Sequence, residues 1–170
     1  DEYHLDQEIN DRGILVDLQM VNNAIIFDER SKTTIADEIR SLTDIENPNS
    51  VSQIKTWLSD QGIEVDSLSK KTVAEMIKEA PEDLAQILSL RQQLAKSSVK
   101  KYQAMQNSAC NDHRTRGMFQ FYGANRTGRW AGRLIQLQNL PQNHMNDLDA
   151  ARELVRIGDY DSFSMLYDDP

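Results

Sequence analysis

The chain has little cysteine and proline, and it lacks long apolar runs. Cys110 is the single cysteine among 170 residues, so no internal disulfide can form, and this usage suits a reducing cytoplasm. No apolar segment approaches the length of a membrane-spanning helix, and no signal sequence is visible. A chain of this length can bury one hydrophobic core, or one domain and a piece of another.

Acidic side chains are absent from residues 113 to 146, although the net charge of the chain is −8. Residues 84 to 146 contain nine Lys or Arg and one acid, Asp112, which gives this region a net charge of +8 and leaves −16 for the remainder. A local field of this kind attracts a polyanion whatever the overall charge. We therefore expect the nearby arginines to bind an external anion, with nucleic acid as the first candidate. These arginines are Arg114, Arg116, Arg126, Arg129 and Arg133.

The sequence from Thr127 to Pro141 predicts a turn that leads into an extended segment. Two glycines and two arginines come first, and from Ile135 to Leu140 apolar side chains alternate with amides. Successive side chains of an extended chain point to opposite sides. Ile135 and Leu137 are therefore expected to pack inward, while the intervening amides face solvent.

This stretch resembles a segment of family A DNA polymerases, the Pol I-like enzymes, that is usually written T-G-R-L-S-S-x-x-P-N-L-Q-N-I-P. The two align without a gap, and Gln136 stands where the family commonly has Asn. Phe121–Asn125 before the arginines and Trp130–Arg133 within the stretch are similar to the phage or prophage branch. Six residues match the family pattern: Thr127, Gly128, Arg129, Gln138, Asn139 and Pro141.

Hydrophobic spacing predicts a mainly α fold with a small β component, of the α+β class. Asp17 is expected to cap a helix that reaches about Leu42, and Ser50 with Gln53 predicts a capping box for another helix that Gly62 ends. Further helices are predicted over residues 1 to 11, 72 to 79, 82 to 106 and 146 to 156, and strands over residues 117 to 122 and 133 to 140.

Other motifs extend the resemblance over most of the chain. The Asp6–Asp17 pattern and the Asn47–Leu58 run are similar to the polymerase thumb, and Arg91, Leu94 and Lys96 match its Arg-x-x-Leu-x-Lys signature. The resemblance implies a helical thumb subdomain over residues 1 to 108. It also implies the beginning of an α+β palm over residues 109 to 170, truncated before the catalytic carboxylates.

The polar face of the predicted long helix has two interpretations. Lys96 and Lys100 lie on it without an acid between Leu84 and Asn111, so it is either a solvated surface or a rail along nucleic acid. Arg91 lies among the apolar positions and is expected to reach solvent or a carboxylate. The resemblance implies a role in binding duplex DNA for Arg129, Gln136, Gln138, Asn139, Arg126, Arg133, Lys96, Lys100 and Lys101.

Three patterns resemble metal sites but are better explained as ordinary loops. Cys110 and His113 lack the paired clusters of four ligands that structural zinc needs. Asp159–Ser162 is similar to the first metal-binding motif of the polymerase family, yet it lacks the later Glu and the preceding apolar strand. Tyr167–Asp169 is similar to the Tyr-x-Asp-Asp motif of reverse transcriptases, yet nothing apolar follows it.

The resemblance implies a parent enzyme that copies a DNA template from deoxynucleoside triphosphates, with a primer–template duplex as partner. Such phosphoryl transfer uses two Mg²⁺ ions held by carboxylates, which are expected beyond this chain. We expect the fragment itself to be non-catalytic, monomeric, free of any membrane, and located in the bacterial cytoplasm.

Two other classes of function stay open at this point. One is a non-enzymatic helical adaptor whose acidic body binds a protein, and the other is a sequence-specific regulator that places a helix in the major groove. Salt-dependent binding of duplex DNA without sequence preference would separate the polymerase interpretation from both.

Overall fold

A computed structural model describes residues 1–96, 99–140 and 145–167, and it is mainly α with two small antiparallel sheets, which confirms the predicted fold class. None of the helices in these ranges is long and apolar enough to cross a bilayer. The elements in chain order are α1 (Glu2–Arg12), β1 (Ile14–Leu15), α2 (Leu18–Leu42), α3 (Val51–Asp60), α4 (Lys70–Glu79), α5 (Glu82–Leu94), α6 (Lys100–Ser108), β2 (Arg114–Thr115), β3 (Phe119–Ala124), β4 (Arg129–Gly132), a short 3₁₀-helix (Leu137–Asn139), α7 (Leu148–Ile157) and α8 (Tyr160–Leu166).

The chain forms two compact units. The strand-containing unit combines Asp1–Asp28 with Ser98–Pro170, and the helical unit consists of Glu29–Ser97. The first 28 residues therefore fold with the C-terminal part of the chain, and α2 supplies residues to both units. The division into a thumb over residues 1 to 108 and a palm over residues 109 to 170 stays a prediction.

The helical unit is held by apolar side chains from its helices and loops. Ile54 and Leu58 lie four residues apart on one face of α3 and are almost fully buried against Val73 of α4 and Leu88 of α5. Burial of each such side chain contributes about 1.5–3 kcal/mol. Ile39 of α2 lies in a second cluster with Leu94 at the end of α5.

The predicted capping box at α3 forms in a modified way. The Ser50 hydroxyl accepts a hydrogen bond from the backbone N–H of Gln53 at 3.4 Å, as expected. The Gln53 side chain, however, accepts from the backbone N–H of Asn47 at 2.8 Å instead of from that of Ser50. The amide therefore also fixes the Asn-Pro turn that leads into the helix.

In the strand-containing unit, the N-terminal segment packs with the C-terminal part of the chain. In the antiparallel pair of β1 and β2, Ile14 lies opposite Thr115. Val21 and Ile25 of α2 pack with Tyr102 of α6 in one core, and a second core forms around residues of α2, α7 and α8, namely Phe27, Ala151 and Phe163. As predicted, Asp17 caps α2 by accepting from the backbone N–H of Met20 at 3.0 Å.

The predicted single helix from Glu82 to Gln106 is wrong, because the structure contains two helices, α5 and α6. The backbone N–H of Lys96 donates to Gln93 O at 3.0 Å, so the end of α5 tightens into a three-residue turn. Residues 97 and 98 lie outside the described residues. The sequence there is Ser-Ser followed by Val99, and serine hydroxyls compete for backbone groups while a β-branched residue loses side-chain freedom in a helix.

The predicted strand over residues 133 to 140 is also wrong. Leu134 and Gln136 have positive φ values, and the N–H of Gln136 donates to Arg133 O at 3.1 Å, so this segment closes local turns and forms no sheet ladder. The burial pattern was nevertheless predicted correctly for Ile135, which is 2% exposed, and for the exposed Gln136 and Gln138. Leu137, which was also expected to pack inward, is half-buried. The strand that does form in this region is β4, which ends where the predicted strand was expected to begin.

Candidate nucleic-acid interface

The candidate interface is built on the hairpin of β3 and β4. Gln120 of β3 pairs with Ala131 of β4, and Ala124 of β3 pairs with Arg129 of β4. The three residues between Gln120 and Ala124 therefore lie opposite a single residue of β4, Trp130. This arrangement is a β-bulge, which bends the strand and changes the direction of its side chains. Tyr122, in the middle of the bulge, has a φ of +52°.

The loop of the hairpin explains why glycine precedes Arg129. The backbone N–H groups of Thr127 and Gly128 both donate to Ala124 O, at 2.9 and 3.0 Å. Gly128 has a φ of +65°, and a Cβ atom there would lie 2.8 Å from Cε2 of Tyr122. Glycine is therefore required by the backbone conformation and by the aromatic ring that covers it.

Arg126 and Arg129 are the cations that this hairpin leaves available. Both are exposed, and neither guanidinium forms a hydrogen bond or an ion pair with any residue that the structure describes. Arg126 lies in the loop that joins the two strands and Arg129 begins β4, so the two charges are three residues apart at the loop end of the hairpin. With acids absent from residues 113 to 146, this end of the hairpin is suited to an anion.

Three of the five arginines predicted to need an external anion, namely Arg114, Arg116 and Arg133, already have internal partners, and the prediction is wrong for Arg116, whose charge is paired with an acid. The Arg116 guanidinium donates to both carboxylate oxygens of Asp112, at 2.9 and 2.6 Å, and holds the pKa of that carboxyl well below its usual range. Arg114 donates from Nη1 to the carbonyls of Arg12 and Gly13, both at 3.1 Å. Arg114 and Arg116 connect the end of α1 to β2, and the four-residue spacing from Asp112 to Arg116 was the signal for the ion pair.

The predicted amide contacts are arranged around the 3₁₀-helix. The side chain of Asn139 donates to the amide oxygen of Gln136 at 3.0 Å, and Gln138 lies directly against Gly132. Arg133 donates from Nε to the amide oxygen of Gln120 at 3.0 Å. The structure thus brings these side chains together on the segment after β4, each exposed to solvent. Pro141, which completes the matched pattern, lies outside the described residues.

The three predicted lysines have different surroundings. Lys101 is half-buried and donates to Ile135 O at 2.9 Å, so it links α6 to the segment after the hairpin. Lys100 is exposed at the start of α6, in the same unit as the hairpin. Lys96 is exposed and belongs to the helical unit. A role in DNA binding stays a prediction for all nine residues.

Arg91 of α5 is a further cation, and one of its donor atoms is unsatisfied. Its Nε atom is buried without a hydrogen-bond partner, and burial lowers the pKa of the guanidinium. No described carboxylate meets it, contrary to one of the two expectations from the sequence. Arg91 as a whole is half-buried, so its Nε is an unsatisfied donor while its charge is only partly removed from solvent. The sequence signal for the partial burial of Arg91 was its position among the apolar residues of α5.

The residues that resemble metal ligands have structural roles here. Within the described ranges, no group of three or more His, Cys, Asp or Glu is placed to hold a metal ion. Asp159 caps α8 by accepting from the backbone N–H and the hydroxyl of Ser162, at 3.0 and 2.6 Å, and these hydrogen bonds lower its pKa. Cys110 and His113 belong to a turn in which the N–H of His113 donates to Cys110 O at 2.9 Å. Asp168 and Asp169 lie outside the described residues.

Comparison with known proteins gives one informative match. The chain is 50% identical over 164 residues to a protein named DNA polymerase from Bacillus phage SP02, and the match covers 96% of this chain and 25% of that protein. The chain thus spans about a quarter of the length of this curated relative. No family model and no solved structure matches it. The predicted resemblance to a DNA polymerase is confirmed: nearly the whole chain is similar to one part of a phage protein of that name.

Proposed function

We propose that the chain is the duplex-holding part of a family A DNA polymerase of the phage branch, with a helical thumb over residues 1 to 108 and the start of the palm after it. The parent enzyme copies a DNA template from deoxynucleoside triphosphates. The chain alone is non-catalytic, monomeric and cytoplasmic in this proposal. Among the described residues no group of three or more His, Cys, Asp or Glu is placed to hold a metal ion, and the proposal assigns the two Mg²⁺ ions of that reaction to carboxylates elsewhere in the parent. The similarity to a phage DNA polymerase supports the proposal.

The observation that carries the proposal is the exposed and unpaired guanidinium of Arg129. Its guanidinium is exposed and has no partner among the described residues, although Arg114 and Arg116 of the same acid-free region have internal partners. Arg129 begins a strand and follows a glycine whose conformation is fixed by the loop. An exposed, unpaired guanidinium on a structured turn, in a stretch that aligns with the Thr-Gly-Arg motif, supports a contact to DNA.

The chemistry of the minor groove suits such a residue. Purine N3 and pyrimidine O2 atoms accept hydrogen bonds at every base pair, so an arginine that donates to them is nearly blind to sequence. A polymerase needs this property because it must hold any sequence that it has just copied. Gln136, Gln138 and Asn139 are exposed beside the hairpin segment and are proposed to donate or accept on the same duplex.

Binding of a fluorescein-labelled primer–template duplex, followed by anisotropy, tests the proposal. We expect Arg129→Ala to weaken binding about tenfold, which corresponds to about 1.4 kcal/mol for a lost charge-assisted hydrogen bond. Arg152→Ala is the matched control, because it removes the same charge from a partly exposed arginine of α7 that pairs with Asp149. The control should leave the affinity within about twofold.

Other outcomes would favour the alternative functions. Absence of duplex binding at low salt would contradict the polymerase proposal and favour an adaptor. Binding that depends strongly on the duplex sequence would also contradict it, and would favour a regulator. An equal loss of duplex affinity in the two arginine variants would show that Arg129 is not part of the binding site.

A further inference from the structure

The hairpin of β3 and β4 exposes aromatic rings beside its unpaired arginines. Phe121 is half-buried and contacts two neighbours: its ring centroid lies 5.4 Å from that of Trp130, edge to face, and 6.2 Å from that of Tyr122. Tyr122 is 56% exposed and Trp130 is 38% exposed. We call these two residues and Arg126 the hairpin tip.

The backbone holds Tyr122 in a conformation that tyrosine rarely adopts. Its φ of +52° falls in the left-handed region, where Gly and Asn are common and bulky side chains are rare. The ring does not gain burial in return, since more than half of its surface is exposed. One edge of the ring lies over Gly128, so the ring has a fixed position. Packing against Phe121 and Gly128 therefore accounts for part of the aromatic side chain, and its exposed part has no partner among the described residues.

The charge around these rings suits a nucleic acid. Arg126 and Arg129 are exposed without partners among the described residues, and no acid occurs from residue 113 to residue 146. Proteins that bind single-stranded nucleic acid combine such cations with aromatic rings on which bases stack, and stacking tolerates any sequence because every base has a π-face. The hairpin tip has both components.

The geometry favours an unpaired base over a paired one. Inside a duplex both faces of each base are covered by its neighbours, so a protruding ring finds a free face only where a base is unstacked. We propose that the hairpin tip stacks an unpaired DNA base, with Tyr122 and Trp130 on the base and Arg126 on its phosphate. The choice of DNA rests on the proposed function, and it adds a single-stranded ligand to the duplex contact assigned to Arg129.

Intrinsic fluorescence tests the proposal directly. The chain has two tryptophans, so a Trp57→Phe background leaves Trp130 as the only indole reporter. The ligands are a deoxyuridine 12-mer and an abasic 12-mer of the same charge. Stacking predicts that the deoxyuridine strand quenches Trp130 and binds at least about tenfold more tightly than the abasic strand. Equal binding of both strands without quenching would overturn the proposal.

Variants at Tyr122 separate stacking from folding. Tyr122→Phe keeps the ring and should keep the preference for the strand with bases, whereas Tyr122→Asn tolerates the positive φ but removes the ring and should reduce that preference about tenfold or more. Circular dichroism establishes that each variant is folded. If the Asn variant does not fold, the wild-type difference between the two strands and the quenching of Trp130 decide the question. An unchanged preference in a folded Asn variant would overturn the role of Tyr122.

Two further results distinguish this proposal from the proposed function. In one result, Arg129→Ala loses duplex affinity but the chain binds the deoxyuridine and abasic strands equally. This result would support the duplex contact of Arg129 and contradict the stacking of a base on the hairpin tip. A ribouridine 12-mer bound about tenfold more tightly than the deoxyuridine 12-mer would assign the hairpin tip to RNA and would overturn the choice of DNA.

Discussion

Gly13 shows how one residue fixes the junction between the N-terminal segment and β2. Its φ of +64° and ψ of −177° lie in a region that only glycine adopts readily. A Cβ atom there would lie 2.6 Å from Thr115 O and 2.9 Å from Cγ of Arg116. The close approach allows Arg114 to reach the carbonyls of Arg12 and Gly13.

We expect Gly13→Ala to destabilise the strand-containing unit by about 2–4 kcal/mol, because it combines backbone strain with a clash against a carbonyl oxygen. Gly117→Ala is the matched control. Its φ of +66° is similar and it lies in the same unit, but an added Cβ meets nothing within 4 Å, so only about 1 kcal/mol is expected. Urea unfolding followed by circular dichroism measures both variants, and equal losses would show that the contact with Thr115 is unimportant.

Asp17 makes the stability of this unit depend on pH. Its pKa is lowered by the hydrogen bond from the backbone N–H of Met20 and then by the Arg156 guanidinium, whose Nε lies 3.0 Å from the carboxylate. A carboxyl whose folded pKa is depressed stabilises the fold above its unfolded pKa, near 3.8, and loses that contribution as the pH falls through the folded value.

We therefore expect Asp17→Asn to lower stability at pH 7 by about 0.5–1 kcal/mol, since the pair is partly exposed, and to lower it less at pH 2.5. Arg156→Gln removes the cation but keeps the helix cap, so part of the pH dependence attributable to Asp17 should remain. Urea midpoints at the two pH values measure the difference. A loss in Asp17→Asn that is the same at both pH values would contradict the assignment.

At the scale of elements, α1 completes the sheet edge of β3. The Asn10 amide donates to Phe119 O at 2.9 Å and accepts from the Phe119 N–H at 3.0 Å, so one side chain imitates a paired strand. Asp6, one turn earlier, accepts from the Phe121 N–H at 3.0 Å. These bonds satisfy backbone groups on the edge of β3 away from β4 and leave less of that edge open to another strand.

The two α1 residues should respond differently to an exchange of amide and carboxylate. Asn10→Asp loses the donor and places a carboxylate against the Phe119 carbonyl, which should cost about 1–3 kcal/mol. Asp6→Asn keeps an acceptor for the Phe121 N–H and should change stability by less than about 0.5 kcal/mol. Chemical unfolding of the pair of variants provides the measurement, and similar values for both would argue against the pairing of α1 with β3.

At the scale of the whole molecule, the separation of charge predicts how salt affects DNA binding. Each phosphate contact that is lost should reduce the slope of log affinity against log salt by about 0.9. Replacing Lys96 and Lys100 together by Ala should therefore reduce the slope by about 1.8 if both contact phosphates, equally for all duplex sequences. The control replaces Lys70 and Lys78 of α4, which removes the same charge from an acidic part of the chain. An unchanged slope in the first variant would return Lys96 and Lys100 to the solvated-surface interpretation.

Local features of the sequence predicted much of the fold. Asp17 and Ser50 could be recognised as caps because capping depends on residues two or three positions away. The break between α5 and α6 was missed because apolar residues continue at helical spacing across it. This spacing does not show that the residues before and after the break pack into different cores. Leu94 belongs to the core of the helical unit, whereas Tyr102 packs in the strand-containing unit.

The sequence by itself determined where the positive charge is concentrated and that Arg129 follows a glycine turn, because both depend only on neighbouring residues. Only the tertiary structure decided which cations remain available. Arg114 and Arg116 are occupied by carbonyls of Arg12, Gly13 and Asp11, about one hundred positions away in the chain, and Arg126 and Arg129 are not. Chain folding creates such long-range partners, and no local pattern records them. The aromatic hairpin tip likewise exists because the bulge in β3 places Tyr122 and Trp130 beside Phe121.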